Sequence, residues 1–195
     1  MNRIFYIMGK SSSGKDTIYK ALLSYFGFSP IVLCTTRPMR ENEQNGREYH
    51  FVDRSCFEKM SADGKIIEKR IYNTVYGEWI YFTAADSVDL DNGNCLGIGT
   101  LESYLKLRDY FGSETVVPIY IEVEDGIRLI RAVERERAED KPRYTELCRR
   151  FIADSEDFSE EKLSAASIDR RFSNNCRLDE CVAEVKSYIQ QVCCV

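Results

Sequence analysis

The stretch Ile4-Phe5-Tyr6-Ile7-Met8-Gly9-Lys10-Ser11-Ser12-Ser13-Gly14-Lys15 decides the fold of this chain. Five consecutive apolar residues ended by a glycine are typical of a strand that is buried on both faces of a parallel sheet. Apolar residues then recur at intervals of three and four over 16–26, which predicts an amphipathic helix that ends at Gly27. The chain therefore begins with a strand, a glycine- and serine-rich loop and a helix.

The loop between this strand and this helix has the spacing of a phosphate-binding P-loop, G-x-x-x-x-G-K, over residues 9–15. Glycines let the backbone wrap around phosphate oxygens, successive N–H groups point inward, and the following helix presents the positive end of its dipole. We therefore predict that the loop binds ATP and that Lys15 reaches the β- and γ-phosphates. The residues predicted to bind ATP here are Gly9, Ser11, Ser12, Ser13, Gly14, Lys15, Asp16 and Thr17.

One position in the loop departs from the P-loop pattern. The pattern expects Ser or Thr directly after the lysine, to contact Mg²⁺, whereas this chain has Asp16 followed by Thr17. We predict that Thr17 takes the Mg²⁺ contact, with a cap on the first helical turn as the alternative role of Asp16. A polar turn with an exposed lysine is the competing interpretation, and the strand before the loop and the helix after it favour the phosphate site.

The rest of the chain alternates strand and helix patterns, which predicts an α/β fold with a parallel sheet of the P-loop NTPase type covered by helices on both faces. Further strands are predicted at 31–34, 95–98, 116–123 and Arg171–Ser173, and further helices at 101–110, 126–137, 144–154 and 178–192. The charged segment 37–83 interrupts this alternation with short β-like pieces. It is predicted to form a small inserted mixed β/α lobe, with 1–36 and 84–195 as the core domain.

Composition and charge narrow the class of protein. The chain of 195 residues is 44% hydrophobic, enough for an ordinary core, and its net charge of -5 disfavours a nucleic acid partner. Its eight cysteines are scattered without zinc or disulfide-framework spacing, which indicates free thiols. No long apolar segment is present, so we expect a cytoplasmic protein without a membrane partner, whose oligomeric state the sequence leaves open.

A second cluster suited to phosphate follows the second predicted strand. Arg37 and Arg40 lie three residues apart, and two guanidinium groups at this spacing can converge on one phosphate. Tyr49, further along, adds a hydroxyl donor. Taken alone, the two arginines are typical of a solvated loop, but beside a P-loop they predict the site that grips a second substrate.

Taken in order, these motifs resemble those of the guanylate kinase family. That family carries a P-loop, a T-T-R-x-x-R segment, an N-G-x-x-Y-x-F segment, a glutamate and a Y-G pair. The corresponding parts of this chain are 9–15, 35–40, 45–51, Glu68 and Tyr76-Gly77. These matches in the same order are together more specific than any one of them.

The resemblance implies roles for the residues of the inserted lobe. The phosphate of the acceptor monophosphate would be bound by Arg37, Arg40, Tyr49 and Tyr76. Glu68 would accept hydrogen bonds from the N1 and N2 donors of guanine, two adjacent donors that a carboxylate can take together. The alternative for Glu68 is a place on the exposed face of a strand.

The family also has a lid whose arginines close over the phosphoryl group during its transfer. Arginines lie within and beside the polar segment 136–146 here, at positions Arg131, Arg135, Arg137, Arg149 and Arg150. Because phosphoryl transfer depends on positioning and on neutralising spread negative charge, we predict that Arg135, Arg137 and Arg150 act in transfer together with Lys15 and Arg37. By the same resemblance, Asn174 would contact the adenine of ATP.

Three departures from the family pattern bear on the substrate. The family places a serine near the end of its second strand to contact guanine, and Leu33, or Cys34 if the register shifts by one residue, stands there. Its third strand ends in D-x-D, whose carboxylates help to hold Mg²⁺ and contact the acceptor base, and Gly97 and Gly99 occupy these places. Glu78 follows the Y-G pair, where Ser or Thr is usual, and it opens an aromatic run that ends at Thr83. An acidic side chain beside an acceptor phosphate would repel it unless it points away.

The resemblance implies an ATP- and Mg²⁺-dependent nucleoside monophosphate kinase that converts GMP and ATP into GDP and ADP by direct in-line transfer. Two alternatives stay open. One is a P-loop kinase of the same fold that acts on a different nucleotide or a phosphorylated small molecule. The other is a non-catalytic guanylate kinase-like module that binds proteins, which the missing D-x-D allows and the retained Lys15 disfavours.

Overall fold

The computed structural model describes residues 1–74 and 77–194. The strands within these residues are β1 (Ile4–Met8), β2 (Ser29–Pro30), β3 (Cys34–Thr35), β4 (His50–Phe51), β5 (Ile66–Thr74), β6 (Gly77–Ala84), β7 (Cys95–Gly99), β8 (Val116–Glu122) and β9 (Arg171–Ser173). The helices are α1 (Lys15–Phe26), α2 (Arg54–Ala62), α3 (Leu101–Phe111), α4 (Asp125–Arg137), α5 (Tyr144–Asp157), α6 (Glu160–Ala165) and α7 (Leu178–Cys193). A 3₁₀ turn at Ala85–Ser87 follows β6.

The main sheet has five parallel strands in the order β2-β7-β1-β8-β9. Strand β1 lies at its centre, and all of its residues are buried. Ile4, Tyr6 and Met8 pack toward α3 and α6 on one face, whereas Phe5 and Ile7 pack toward α1 and α7 on the other. This arrangement confirms the predicted α/β fold, and it explains why the first apolar run is unbroken, since both faces of the strand are covered.

A smaller mixed sheet lies beside the main one, with the strand order β4-β3-β6-β5. Strands β3 and β4 are parallel, whereas the β3–β6 and β5–β6 pairs are antiparallel. Phe57 from α2 packs on Ile80 and Phe82 of β6 to form a separate core under this sheet. The smaller sheet therefore belongs to a mixed β/α lobe, as expected for the segment that interrupts the strand–helix alternation.

The strand predicted at 31–34 is wrong. Ser29 and Pro30 pair with β7 in the main sheet, whereas Cys34 and Thr35 pair with β4 and β6 in the smaller one. Residues between them form no strand, although Ile31 is buried in the main core. The apolar run here therefore reflects burial where the chain passes from one sheet to the other.

Two helices were not predicted. Helix α2 begins at a cap in which the Asp53 side chain accepts a hydrogen bond from the Cys56 backbone N–H, and it buries only Phe57. A single buried position gives no apolar periodicity, so the cap is its one clear sequence signal. Helix α6 has six residues, fewer than two turns, and its periodicity is equally faint.

No helix within 1–74 and 77–194 is long and apolar enough to cross a membrane. All eight cysteines have free thiols, and three of them, Cys34, Cys95 and Cys181, are buried.

Candidate functional site

The P-loop turns tightly between β1 and α1, with Gly14 at the start of the helix. Gly14 has a φ of +85°, and a Cβ there would lie 2.5 Å from Asn174 Nδ2, so the position requires glycine. Within the described chain, no side chain caps α1, which leaves its first turn available to an anion. Asp16 therefore does not take the capping role considered above, and its side chain is 79% exposed.

Ser12 adopts a left-handed backbone conformation, with a φ of +63°. Its Oγ is buried and has no hydrogen-bond partner among the described residues. Both features are unfavourable for a serine, because the left-handed region costs an L-residue about 1–2 kcal/mol. The loop therefore has strain at its second serine.

Replacing Ser12 by glycine is expected to stabilise the protein by about 1 kcal/mol, because relief of the left-handed strain outweighs the added freedom of the unfolded chain. Urea unfolding of the two proteins measures this difference. Ser11→Gly is the matched control, since Ser11 lacks a positive φ, and we expect it to lower stability. Equal effects at both positions would contradict the assignment of strain to Ser12.

Asn174 supports the P-loop from behind. Its Nδ2 donates to the Ser13 carbonyl at 2.8 Å, and its backbone N–H donates to the Glu122 carbonyl at 2.9 Å. The residue is 3% exposed. The contact with adenine implied by the resemblance does not follow from this placement, because the side chain is enclosed against the loop. Its observed contacts position the loop.

Arg128 and Asp154, which sequence reasoning missed, tie the loop to α4 and α5. The Ser11 backbone N–H donates to Asp154 Oδ2 at 2.7 Å, and Arg128 Nη1 donates to the Ser11 carbonyl at 3.1 Å. Arg128 is 1% exposed and pairs with Asp125 at 2.7 Å. The sequence feature that could have identified Arg128 is its spacing of four residues from Ala132, which places both residues on the buried face of α4.

Two of the cavities that open on the P-loop share part of their lining. The first, the loop-side cavity, has a volume of about 660 Å³ and is lined by Ser11, Ser12 and Arg135, among others. The second, the lobe-side cavity, has a volume of about 1160 Å³ and extends toward the smaller sheet. The residues that line both are Lys15, Asp16 and Arg150. A group bound in one cavity would therefore approach a group bound in the other at Lys15.

The arginines of α5 are held by one carboxylate. Arg149 donates to both oxygens of Glu146 at 2.7 and 2.8 Å, and Arg150 Nε donates to Glu146 Oε1 at 2.8 Å. The hydrogen bonds from Arg149, followed by those from Arg150, lower the pKa of Glu146 to about 2. Glu146 thus stays ionised and holds both guanidinium groups at the rim of the lobe-side cavity.

The predicted transfer residues are only partly brought together. Lys15, Arg135 and Arg150 line the loop-side cavity. Arg137 is exposed at the end of α4 and belongs to the lining of neither cavity. Of the three predicted lid arginines, the structure therefore places two at the site.

Arg37 is buried behind the wall of the lobe-side cavity. It is 4% exposed, and its Nη1 and Nη2 donate to the two oxygens of Glu43 at 2.8 and 2.7 Å. Its Nε donates to the Tyr81 hydroxyl at 3.0 Å, and its guanidinium lies 5.4 Å from the centroid of the Tyr49 ring. We predicted that Arg37 binds the phosphate of the acceptor directly. In this structure it does not face the cavity in a way that allows this, because the carboxylate of Glu43 accepts hydrogen bonds from both of its terminal nitrogens. Arg37 instead orients two tyrosines that line the cavity.

The Arg37–Glu43 pair predicts a pH dependence of stability. The hydrogen bonds from Arg37 lower the pKa of Glu43 to about 2. Since this pKa is depressed in the folded state, the stabilisation is present above the ordinary pKa of 4.5 and is lost as the pH falls toward 2. We expect the stability difference between wild type and Glu43→Gln to be constant above about pH 5.5 and to shrink below it. Urea unfolding at several pH values measures this, and a difference that is independent of pH would contradict the pairing.

The other residues predicted to bind the acceptor phosphate lie in different places relative to the lobe-side cavity. Tyr49 is half-buried and lines the lobe-side cavity, whereas Arg40 is exposed and lies outside that lining. Tyr76 lies outside the described residues. Glu78 accepts a hydrogen bond from Arg54 at 2.8 Å, so its charge is paired away from the cavity.

Glu68 and Arg70 form a pair at the floor of the lobe. The Glu68 side chain is 4% exposed, and its Oε1 accepts a hydrogen bond from the Thr83 hydroxyl at 2.8 Å. Arg70 Nη2 donates to the same oxygen at 3.4 Å. Arg70, which sequence reasoning did not single out, lines the lobe-side cavity, whereas Glu68 does not.

Tyr6 occupies the space that side chains at positions 97 and 99 would need. A Cβ on Gly97 would lie 2.5 Å from Tyr6 Cδ2, and one on Gly99 would lie 2.2 Å from the Tyr6 hydroxyl. This hydroxyl shares a 2.8 Å hydrogen bond with Ser103, and burial raises the pKa of Tyr6 to about 12. The missing D-x-D is therefore accompanied by a packing arrangement that excludes carboxylates here.

Asp16 and Thr17 are the oxygen-bearing side chains on the exposed face of the first turn of α1. In the part of the chain that the structure describes, no group of three or more His, Cys, Asp or Glu side chains converges as a metal site. Mg²⁺ in phosphoryl-transfer sites is held by one or two protein oxygens together with phosphates and water. These two residues fit a Mg²⁺ ion that arrives with a nucleotide.

Comparison with known proteins identifies relatives of the first half of the chain. Residues 1–95 match the family model described as guanylate kinase. The guanylate kinase of Nitrosomonas europaea is 34% identical over 95 residues, covering 46% of this chain and 47% of that protein. That of Thiobacillus denitrificans is 42% identical over 76 residues, covering 38% of this chain and 36% of that protein. The chain spans less than half the length of these curated relatives.

The whole chain has a structural relative. A crystal structure of guanylate kinase from Anaplasma phagocytophilum matches it with a TM-score of 0.66 and 20% sequence identity, over 97% of this chain and 85% of that one. At this identity the likeness shows the fold.

Proposed function

We propose that this protein is an ATP-dependent nucleoside monophosphate kinase, since residues 1–95 match the family model described as guanylate kinase and are similar to curated guanylate kinases. The acceptor that the family indicates is GMP, and the products are then GDP and ADP. The observation that carries this proposal is the meeting of two cavities at Lys15, Asp16 and Arg150.

The loop-side cavity suits the triphosphate of ATP. The uncapped first turn of α1 and the Lys15 ammonium group offer positive charge to the β- and γ-phosphates. Arg135 and Arg150 face the same cavity from α4 and α5. We propose that the segment 136–146, which runs from the end of α4 to the first turn of α5, acts as the lid. The two arginines would neutralise charge that spreads over the phosphoryl group in transfer.

The lobe-side cavity suits the monophosphate. Its phosphate would lie near Tyr49 and Arg150, both of which line this cavity and carry hydrogen-bond donors. We propose that the lobe, with boundaries near 37 and 83, holds this acceptor, and that Arg37 acts as a positioning residue through Tyr49 and Tyr81.

Transfer between the cavities needs no covalent intermediate, because the two substrates would meet in line at Lys15. Mg²⁺ supplies charge neutralisation of the ATP phosphates when bound. Asp16 and Thr17 would hold it. The remaining steps are positioning by the loop amides and exclusion of water by the lid.

The proposal is tested by ADP release with Mg-ATP against GMP, dGMP, AMP, CMP and UMP. Turnover that depends on one of these acceptors supports the proposed function. ADP release that is the same with and without every acceptor would overturn it. Absence of both turnover and ATP binding would favour the non-catalytic, protein-binding alternative.

The proposed function also bears on the partners and the cellular location of the protein. Nucleotides are its proposed small-molecule partners, with no nucleic acid or membrane partner. Eight free thiols suit a reducing compartment, and we propose that the protein is cytoplasmic.

A further inference from the structure

We propose that Asp154 and Arg128 are positioning residues for the ATP site, which hold helices α4 and α5 in place on the P-loop. We call this pair the clamp. Through the clamp, Arg135 and Arg150 are kept beside the loop-side cavity, which they line from the two helices. The inference rests on the proposed function, and it deepens that function by naming the residues that hold the two arginines in place.

The clamp holds a single residue of the P-loop by both of its backbone groups. The Ser11 N–H donates to Asp154 Oδ2 at 2.7 Å, and the Ser11 carbonyl accepts from Arg128 Nη1 at 3.1 Å. Arg128 Nη1 also lies 3.4 Å from Asp154 Oδ2, so the two side chains and Ser11 form a closed set of contacts. Because α4 supplies the arginine and α5 supplies the aspartate, both helices are joined to the same point of the loop.

The position of Arg128 in the clamp is fixed by further contacts. Its side chain is 1% exposed, and its Nε and Nη2 donate to Asp125 Oδ1 at 3.0 and 2.7 Å. Its guanidinium also lies 4.5 Å from the centroid of the Phe151 ring on α5. A buried guanidinium with partners on several sides is far more constrained than a surface ion pair. The clamp is therefore a rigid connection between the loop and the two helices.

Helix α5 depends on the clamp because of how the chain enters and leaves it. The chain reaches α5 from α4 through residues 138–143, all of which are exposed. At the other end of α5, Phe158 is buried in the main core. Asp154 lies four residues before Phe158, one helical turn away. The clamp and the buried phenylalanine therefore fix the same end of α5 and leave the end that carries the proposed lid free to move.

The two transfer arginines lie on the same helix faces as the clamp. Arg135 follows Arg128 by seven residues, which is two turns of α4. Arg150 precedes Asp154 by four residues, which is one turn of α5. A small cavity of about 60 Å³ at the loop is accordingly lined by Ser12 together with Arg128, Arg135 and Arg150. A shift of either helix at the clamp would therefore move its arginine relative to the loop.

The test is equilibrium binding of Mg-ATP to the full chain by calorimetry, without an acceptor. Asp154→Ala should weaken binding by about tenfold, because Arg135 and Arg150 are no longer held beside the phosphates. The sign of this effect is informative, since removing a negative charge near the loop would by itself favour binding of an anion. In a background that lacks both arginines, Arg135→Ala/Arg150→Ala, the same substitution should cost no more than about threefold.

Two further variants separate the clamp from a general loss of charge or stability. Asp154→Asn removes the same charge but keeps an oxygen that can accept from the Ser11 N–H, and it should bind Mg-ATP within about threefold of wild type. Asp157→Ala is the matched control, because Asp157 lies on the same helix, pairs with Lys162 at 3.9 Å and is outside the lining of both cavities. It should leave the affinity within about twofold. If Asp154→Ala does not fold, Asp154→Leu, which keeps the side-chain volume, takes its place with the same expectation.

The inference is overturned if Asp154→Ala leaves Mg-ATP binding unchanged or tightens it, or if its cost is the same with and without Arg135 and Arg150. It is also overturned if Asp157→Ala weakens binding as much as Asp154→Ala does. Binding of Mg-ATP without turnover of any acceptor would overturn the proposed function alone and leave the cycle to decide the role of the clamp. Wild type that binds no Mg-ATP would overturn both.

Discussion

Lys15→Ala is expected to lower kcat/KM for phosphoryl transfer by about two to three orders of magnitude. Removing one preorganised charged donor from a transfer site costs about 3–4 kcal/mol in the transition state. Lys15 begins α1, lines both cavities and has 20% of its side chain exposed. Its removal should therefore affect chemistry much more than folding. The measurement is steady-state ADP release with Mg-ATP and the acceptor that wild type uses.

Lys10→Ala is the matched control for this experiment. Lys10 belongs to the same loop but pairs with Asp125 at 3.3 Å and lies outside the lining of both cavities. We expect its kcat/KM to stay within about threefold of wild type, as for an exposed ion pair. Equal losses in the two variants, or an unchanged rate in Lys15→Ala with wild-type stability, would contradict the role given to Lys15.

Gly97→Ala is expected to destabilise the fold by about 2–3 kcal/mol, because the new methyl group overlaps a rigid ring in the core. The added Cβ would lie 2.5 Å from Tyr6 Cδ2 and 2.7 Å from Tyr6 Cε2. For a chain of this length, such a loss lowers the melting temperature by about 4–12 °C. Calorimetry or urea unfolding gives the value.

A double-mutant cycle shows whether Tyr6 is the cause. Tyr6→Val alone should cost about 2–3 kcal/mol through the cavity that it leaves. The double variant Tyr6→Val/Gly97→Ala should lose less stability than the sum of the two single losses, by at least about 1 kcal/mol. The reason is that the smaller side chain at position 6 makes room for the new methyl group. Gly126→Ala, where the nearest atom is the flexible Glu124 carboxylate at 3.1 Å, should be close to neutral. Simple additivity would contradict the clash.

The sequence is most informative where local chemistry and packing agree. The apolar run of β1, the glycines of the loop and the periodicity of α1 each favour one structure, and the structure has it. The same holds for the strands near 95, 116 and 171, where apolar runs are bounded by polar turns. These elements are specified by neighbours in sequence.

The failures come from contacts between distant parts of the chain. The run 31–34 looks like one strand, but its two ends pair with different sheets. Arg37 and Arg40 look equivalent in sequence, yet only Arg37 is enclosed, because Glu43 folds back on it. No local pattern gives the partner of a charged side chain.

In the candidate site, too, some features follow from local sequence and others depend on contacts between distant residues. The position of Lys15 followed from the motif, whereas the contacts of Arg128 with Ser11 and Asp154 join residues more than 25 positions apart. The pairing of Arg70 with Glu68 is local, since the two residues lie two positions apart on β5.

One of the chain connections between the two sheets, from β2 to β3, is very short. Only residues 31–33 lie between β2 in the main sheet and β3 in the smaller one. Three residues reach about 10 Å even when fully extended. In any rotation of the lobe about this connection, the end that carries Cys34 would move little, and the paired ends of β5 and β6 at Thr74 and Gly77 would move farthest.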